Sequence, residues 1–178
     1  MRNSLVIFDI DGTLIDSVKI DGYGFIQTYK ELFGIDLGEA DWTKFSHVTD
    51  WGLSNSIFEQ FMGRLPTEAE LESVREHFLN ILVSQSGDDH SLLQEIPGAV
   101  DFFHFLKEIG APLAIATGGW AATASFKLDQ IGLKFHDVSF ANSNHHYSRK
   151  VITQHAIDMA KAQHQTEFQR IIYFGDGK

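Results

Sequence analysis

Apolar residues follow two different rhythms along this chain. Four short runs are almost continuously apolar: Leu5 to Phe8, Leu113 to Ala116, a weaker run from Val138 to Ala141, and Ile171 to Phe174. A strand with no polar alternation has no solvated face, so these runs predict buried strands of a parallel sheet. Between them the period changes. Val100, Phe103, Leu106 and Ile109 recur every three residues after Pro97-Gly98. Leu128 and Ile131 precede Gly132, and Ile152, Ala156, Met159 and Ala160 follow Ser148, a candidate N-cap. Strand and helix in alternation predict an α/β sandwich with right-handed crossovers.

Residues 16 to 96 do not fit one crossover. They are too many, and they read as helical almost throughout. Val18, Phe25, Ile26, Tyr29, Leu32 and Phe33 share one face; Leu53, Ile57, Phe58 and Phe61 share another. Thr67-Glu68-Ala69-Glu70 has the form of a capping box ahead of Leu71, Val74, Phe78, Ile81 and Leu82. Asp16 is a candidate cap for the first of these helices, and Ser86 to His90 reads as a loop. The expected organisation is a core of residues 1–15 and 97–178 with an α-helical subdomain, 16–96, inserted after the first strand.

Length and charge narrow the function. At 178 residues the chain suits one domain with a modest insertion, and it can bury a core without staples. With 14 Lys and Arg against 24 Asp and Glu, its formal charge is −10, which argues against nucleic acid as a partner. No apolar stretch reaches the ~18 residues of a membrane span. The apolar run after Ser4 is too short for a signal peptide. Cysteine is absent, which fits a cytoplasmic location and removes thiolate chemistry. Oligomeric state is not readable.

The chemistry gathers at strand ends. Asp9 and Asp11 close the first strand, and positions i and i+2 of an extended chain face the same way. Gly12 permits a sharp turn, Thr13 adds a hydroxyl, and the turn's N–H groups are expected to face an anion. Thr117-Gly118-Gly119 closes the second strand, and Asp176 lies between Gly175 and Gly177 after the fourth. Ligands of open α/β sheets sit in that crevice. Three aspartates there call for a cation, and Mg²⁺, with its preference for oxygen ligands and phosphate, fits. One aspartate can then attack phosphorus while the other protonates the leaving oxygen and later activates water. Arg149 or Lys150 is available to neutralise the transferring phosphoryl group.

Asp9-Ile10-Asp11-Gly12-Thr13-Leu14-Ile15-Asp16-Ser17 closely resembles the first motif of the haloacid dehalogenase superfamily. Thr117 matches the second motif, Arg149 or Lys150 the basic third, and Asp176 the acidic fourth. The resemblance implies a Rossmann-like parallel sheet core with an inserted helical cap. It implies that Asp9 is the nucleophile and a metal ligand. Asp11 is implied as the general acid/base, ligating metal through its backbone carbonyl. Thr117 is implied to hold the phosphoryl group, with Gly12, Thr13, Gly118 and Gly119 around it, and Asp176 to hold Mg²⁺. Members with the second aspartate are typically phosphatases or phosphomutases; dehalogenases and phosphonatases usually lack it. The superfamily's fourth motif usually continues to another acid, helix and strand. The core is therefore expected to be C-terminally incomplete, with its fourth strand at an open edge.

The expectation is a Mg²⁺-dependent phosphatase acting on a small phosphorylated metabolite. The rivals are a sugar phosphomutase, a receiver-like signalling module and a non-catalytic binding protein derived from the fold. Three smaller features have bland readings beside functional ones. Trp120 is a pocket wall or a core aromatic. His145-His146 is a metal site or, better, a surface loop. His47 to Gly52 either reads the leaving group or simply starts a helix at Thr49 or Asp50.

Overall fold

Successive side chains of a strand face opposite ways, and two apolar clusters form accordingly. The computed structural model describes residues 3–38, 42 and 45–176. In the first strand, β1 (Ser4–Phe8), Val6 and Phe8 join one cluster, and Leu5 and Ile7 join the other. The two-residue strand β2 (Ile15–Asp16) follows, then helices α1 (Val18–Phe33), α2 (Asp50–Met62) and α3 (Glu68–Asp88). A 3-10 turn, His90–Leu92, leads to β3 (Gln94–Glu95), which pairs antiparallel with β2. The chain then alternates: α4 (Ala99–Glu108), β4 (Leu113–Ala116), α5 (Ala121–Gln130), β5 (Ser139–Ala141), α6 (Arg149–His164) and β6 (Arg170–Phe174).

The main sheet is parallel with order β5-β4-β1-β6. Val6 stands opposite Leu113 on one side and Ile172 on the other, and Ala114 stands opposite Ser139. One face is covered by α4 and α5 through Val100, Phe103, Leu106, Ala124 and Leu128. The other is covered by α6, where Ile152, Ala156 and Ala160 meet Ala114, Ala116 and Ala141. Small residues on both sides of that contact let the helix backbone lie close to the sheet.

Helices α1 to α3 pack around Phe25, Tyr29, Ile57, Phe58, Val74, Phe78 and Leu82. Gly24 matters here, because a Cβ on it would fall 2.9 Å from the Phe78 ring. The capping box of α3 forms as expected: Glu70 N donates to Thr67 Oγ1 at 3.3 Å, and Thr67 N donates to Glu70 Oε2 at 2.8 Å.

Several local expectations are corrected. Asp16 does not cap α1; it lies in β2, and Ser17 holds the N-cap position with its hydroxyl turned elsewhere. Ser86 to Asp88 are helical rather than looped, with Ser86 Oγ donating to the Leu82 carbonyl at 2.8 Å. Ile109, Phe61 and Val18 lie on the predicted stripes but are exposed. The fourth apolar run is a strand, yet it is not buried: Ile171 to Phe174 are 38–47% exposed. Only β1 pairs with it, so among the described residues it is a sheet edge. No described helix is long and apolar enough to cross a membrane.

Candidate active site

Strand β1 delivers Asp9 to the carboxyl edge of the sheet, where its own N–H donates to the Phe174 carbonyl at 2.8 Å. The side chain is almost fully buried. Asp9 Oδ1 accepts from Ile10 N at 2.9 Å, and Oδ2 accepts from Arg149 Nη1 at 2.6 Å. Arg149 is the first residue of α6, so the sheet and the start of a helix place this pair. Burial pushes the Asp9 carboxyl up to about 6, with Asp11 and Asp176 adding to the rise and Arg149 opposing it.

Beyond Ile10 the chain closes a tight turn. Thr13 N, Leu14 N and Ile15 N all donate to the Ile10 carbonyl, at 3.1, 2.8 and 3.1 Å, and Gly12 N donates to Ile15 O at 2.8 Å. This corrects one expectation: these amides are used by backbone carbonyls and do not present themselves to an anion. What the turn leaves unpartnered is the buried Thr13 hydroxyl. Gly12 has φ +74°, and a Cβ there would fall 2.5 Å from Asp176 Oδ2. The bare glycine is what lets Asp176 lie against the turn.

Asp11 has a separate set of partners. Its Oδ1 accepts from Ser17 Oγ at 2.6 Å and from Lys127 Nζ of α5. Lys127 Nζ also donates to Asp21 Oδ2 of α1 at 2.8 Å. Lys127 is 2% exposed. Burial pushes Asp11 up, but the Lys127 cation and the Ser17 hydroxyl outweigh it and hold the carboxyl below its usual value. Asp21 goes the opposite way, to about 8, through burial and the charge of Asp11. Lys127 is held protonated by the two aspartates despite its burial.

Thr117, Gly118 and Gly119 form the floor. Thr117 is buried, and its Oγ1 accepts from Gly119 N at 3.0 Å. A Cβ on Gly118 would fall 2.7 Å from Arg149 Nη2 and 3.2 Å from the Val48 carbonyl. That bareness admits the start of α2. Asp50 N donates to Gly118 O at 2.8 Å, and Asp50 Oδ2 accepts from Trp120 N at 2.8 Å. Thr49 caps α2 by accepting from Gly52 N at 3.0 Å, and its hydroxyl donates to the Tyr147 carbonyl at 2.6 Å. The segment therefore both starts a helix and reaches the site.

These groups enclose a cavity of about 210 Å³, lined by Asp9, Asp11, Asp176, Arg149, Gly118 and Gly119 toward the sheet. Asp21, Asp50, Val18, Phe25, Leu53 and Phe78 line it from the helices, and Lys127 from α5. Burial pushes the Asp50 carboxyl up to about 7, with Asp11 adding to the rise and Lys127 opposing it. Its charged form is thus disfavoured by folding, and stability falls as pH rises from about 4 towards 7. Asp50→Asn keeps an acceptor for Trp120 N and removes that cost. In EDTA the variant is expected to melt with the wild type at pH 4. At pH 8 it is expected to be more stable, by ~2 kcal/mol given the residue's partial exposure. Equal melting at both values would refute the argument.

The structure brings Asp9, Asp11, Gly118, Gly119, Arg149 and Asp176 into one cavity, with Gly12 against Asp176 and Thr117 beside Gly119; Thr13 does not line it. Lys150 is exposed and does not line the cavity. Trp120 is fully buried in the core, with Arg75 of α3 4.6 Å from its ring, and is not a pocket wall. His145 rests against His155 at 4.6 Å and His146 on Tyr147 at 4.4 Å. Among the described residues no three His, Cys, Asp or Glu side chains cluster as a metal cage. Sequence reasoning missed Lys127 and Asp21. A signal existed: Lys127 falls on the stripe of Thr123, Ala124 and Leu128, all buried.

The chain and its fold have counterparts. A model of haloacid dehalogenase-like hydrolases matches residues 4–178. Among curated proteins, the phosphonoacetaldehyde hydrolase of Bordetella pertussis (strain Tohama I) is 27% identical over 145 residues, 73% of this chain and 49% of that protein. Phosphoglycolate phosphatase 1 of Pseudomonas aeruginosa is 30% identical over 124 residues, 64% of this chain and 40% of that protein. The chain thus spans about half the length of the curated relatives it matches. Among solved structures, CbbY from Rhodobacter sphaeroides in complex with phosphate superposes with a TM-score of 0.68 at 15% identity, over 97% of this chain and 77% of that one. A hydrolase from Pseudomonas syringae gives 0.63 at 16%, over 93% and 91%. The chain belongs to the haloacid dehalogenase-like hydrolase family.

Proposed function

We propose that this hydrolase is a Mg²⁺-dependent phosphatase of a small phosphorylated metabolite, working through an aspartyl-phosphate on Asp9. The observation that carries the reading is the pair Asp9 and Asp11 in one cavity, the first bonded to Arg149 and the second facing Gly119. At about 210 Å³ the cavity is smaller than the roughly 300–1,000 Å³ of sites for drug-sized ligands. That suits a phosphoryl group with a short leaving group. In this reading residues 16–96 act as a cap that excludes water from a core of residues 1–15 and 97–178.

The residues fit a Mg²⁺ ion. The donors are all oxygens, and Gly12 leaves a gap that a Cβ would close against Asp176. Asp9 and Asp176 would hold the ion by side chain and Asp11 by its backbone carbonyl, with water and substrate completing the shell. When bound, the ion offsets carboxylate charge and stabilises charge on the phosphoryl oxygens. Asp9 attacks phosphorus with one carboxylate oxygen, and the ester oxygen leaves with a proton from Asp11, which is ionised beside Lys127 at rest and takes up that proton from the substrate bound as its monoanion. Arg149 binds phosphoryl oxygens in the cavity. Asp11 then takes a proton from water, which attacks phosphorus and frees Asp9.

Cleavage of a phosphonate is the second reading, because one relative is named a phosphonoacetaldehyde hydrolase. A carbonyl-activating lysine would need a neutral amine. The lysine in this cavity is tied to two carboxylates, which favours ester hydrolysis. The deciding assay is phosphate release from p-nitrophenyl phosphate, a panel of sugar, nucleotide and organic-acid phosphates, and phosphonoacetaldehyde, with Mg²⁺ and with EDTA. Metal-dependent release from one or more esters is expected. Release from the phosphonate alone would overturn the phosphatase reading, and phosphoryl return to a sugar without net release would replace it with a mutase.

A further inference from the structure

The buried cation of the cavity is not used in the reaction just described. Lys127 sits on α5 among Thr123, Ala124 and Leu128, and its ammonium group makes two ion pairs on two different parts of the fold. Asp11 follows β1, at the sheet edge. Asp21 lies in the first turns of α1, in the helical insert. A fully buried lysine is costly, and it persists only with its charge paired. Replacing it by an apolar residue would leave the Asp11 charge uncompensated and Asp21 without its donor.

The atoms it holds are informative. Both donors on Asp11, Lys127 Nζ and Ser17 Oγ, grip the same oxygen, Oδ1. The other oxygen, Oδ2, lies 3.8 Å from where a Cβ on Gly119 would sit, over the cavity floor. A carboxyl fixed through one oxygen has its other oxygen aimed. Ser17 itself stands at the N-cap position of α1 and makes no side-chain cap bond there, so the hydroxyl serves Asp11 instead of the helix. Ser17, which holds Asp11, and Asp21, which holds Lys127, thus both stand at the start of α1.

We propose that Lys127 is a positioning residue: with Ser17 it aims Asp11 Oδ2 at the reacting ester oxygen, and through Asp21 it makes that aim depend on α1 being docked on the core. The inference rests on Asp11 as the proton-transfer group. It explains how a water-excluding cap and a correctly placed acid arrive together, since one ammonium group answers to both.

Proton transfer to the leaving oxygen matters for an alkyl ester and little for p-nitrophenyl phosphate, whose leaving group is stable as an anion. Because Asp11 also activates water in the second step, which every ester shares, the comparison is made in kcat/KM, which reports only the steps up to the aspartyl-phosphate. Lys127→Met is therefore expected to lower kcat/KM by at least ~100-fold on the best alkyl phosphate and by less than ~10-fold on p-nitrophenyl phosphate. Equal losses of kcat/KM on both substrates would mean a merely structural role and overturn the proposal; so would unchanged kcat/KM on the alkyl ester. If Lys127→Met does not fold, Asp21→Asn decides: a loss of about 10-fold confined to the alkyl ester is expected, and wild-type rates on both substrates would refute the link to α1. Wild-type protein inert on every ester would sink the phosphatase reading instead. Aim is then judged by crystal structures of the wild type and of Asp21→Asn, in which the Asp11 carboxyl is expected to leave its position over Gly119. An unmoved carboxyl would refute the proposal.

Discussion

Asp9→Asn is expected to be folded, at least as stable as the wild type above pH 7 in EDTA, and inactive. The two results have one cause. Asp9 is buried, and its carboxyl stands at about 6 rather than the usual 3.8, which is ~3 kcal/mol against the charged form. Because its folded value is raised, the acid weakens the fold as pH climbs from about 4 through 6, and the penalty is complete beyond. Asparagine carries no such penalty and still accepts from Ile10 N; it gives up only the half-exposed Arg149 as an ion-pair partner. Catalysis goes the other way. An amide oxygen is a poor nucleophile towards phosphorus, so turnover should fall by on the order of 10⁴-fold or more. Melting curves at pH 5 and 8 beside phosphate-release rates test both halves. Residual turnover near the wild-type rate would remove Asp9 from the nucleophile's role, whatever the stability result.

That opposition between stability and activity was partly legible in the chain. Two aspartates two residues apart after Leu5-Val6-Ile7-Phe8 are a local feature, and local features survive folding. The same holds for the α3 capping box and for the alternation of apolar runs with helical stripes. The strand ends that carry Thr117 and Asp176 could be placed because parallel strands point their carboxyl ends the same way. What could not be read depended on partners distant in sequence. Lys127 falls on the inward stripe of its helix, but its partners are not readable until Asp11, 116 positions away, and Asp21, 106 positions away, are brought to it. Asp50 looks like a helix-start acid until Trp120 N is found on its carboxylate. Strands β2 and β3, two residues each, are too short to show a period. The burial of β6 was overestimated because apolar composition reports what a strand can pack against, not what lies beside it.

The choice between Arg149 and Lys150 shows how narrow the margin can be. The two are adjacent, both are basic, and both begin α6, so spacing alone left them equivalent. Adjacent helical residues point about 100° apart, and only one can face the sheet's end. Arg149 reaches Asp9 Oδ2 at 2.6 Å and lies within the cavity, while Lys150 is exposed. Arg149→Met is expected to lower kcat/KM by ~10²–10³-fold, since it removes a charge on the transferring phosphoryl group. Lys150→Met should stay within about 3-fold. A second readout separates catalysis from folding. Arg149 opposes the rise of the Asp9 carboxyl, so its loss pushes that value above 6. The metal-free variant should lose more stability at pH 8, where Asp9 would be charged and unpaired, than at pH 5, where it takes up a proton. An equal loss at both values would mean that the guanidinium acts by packing. A reversed ranking of the two variants in turnover would move the phosphoryl contact to Lys150 and require α6 to rotate by about one residue.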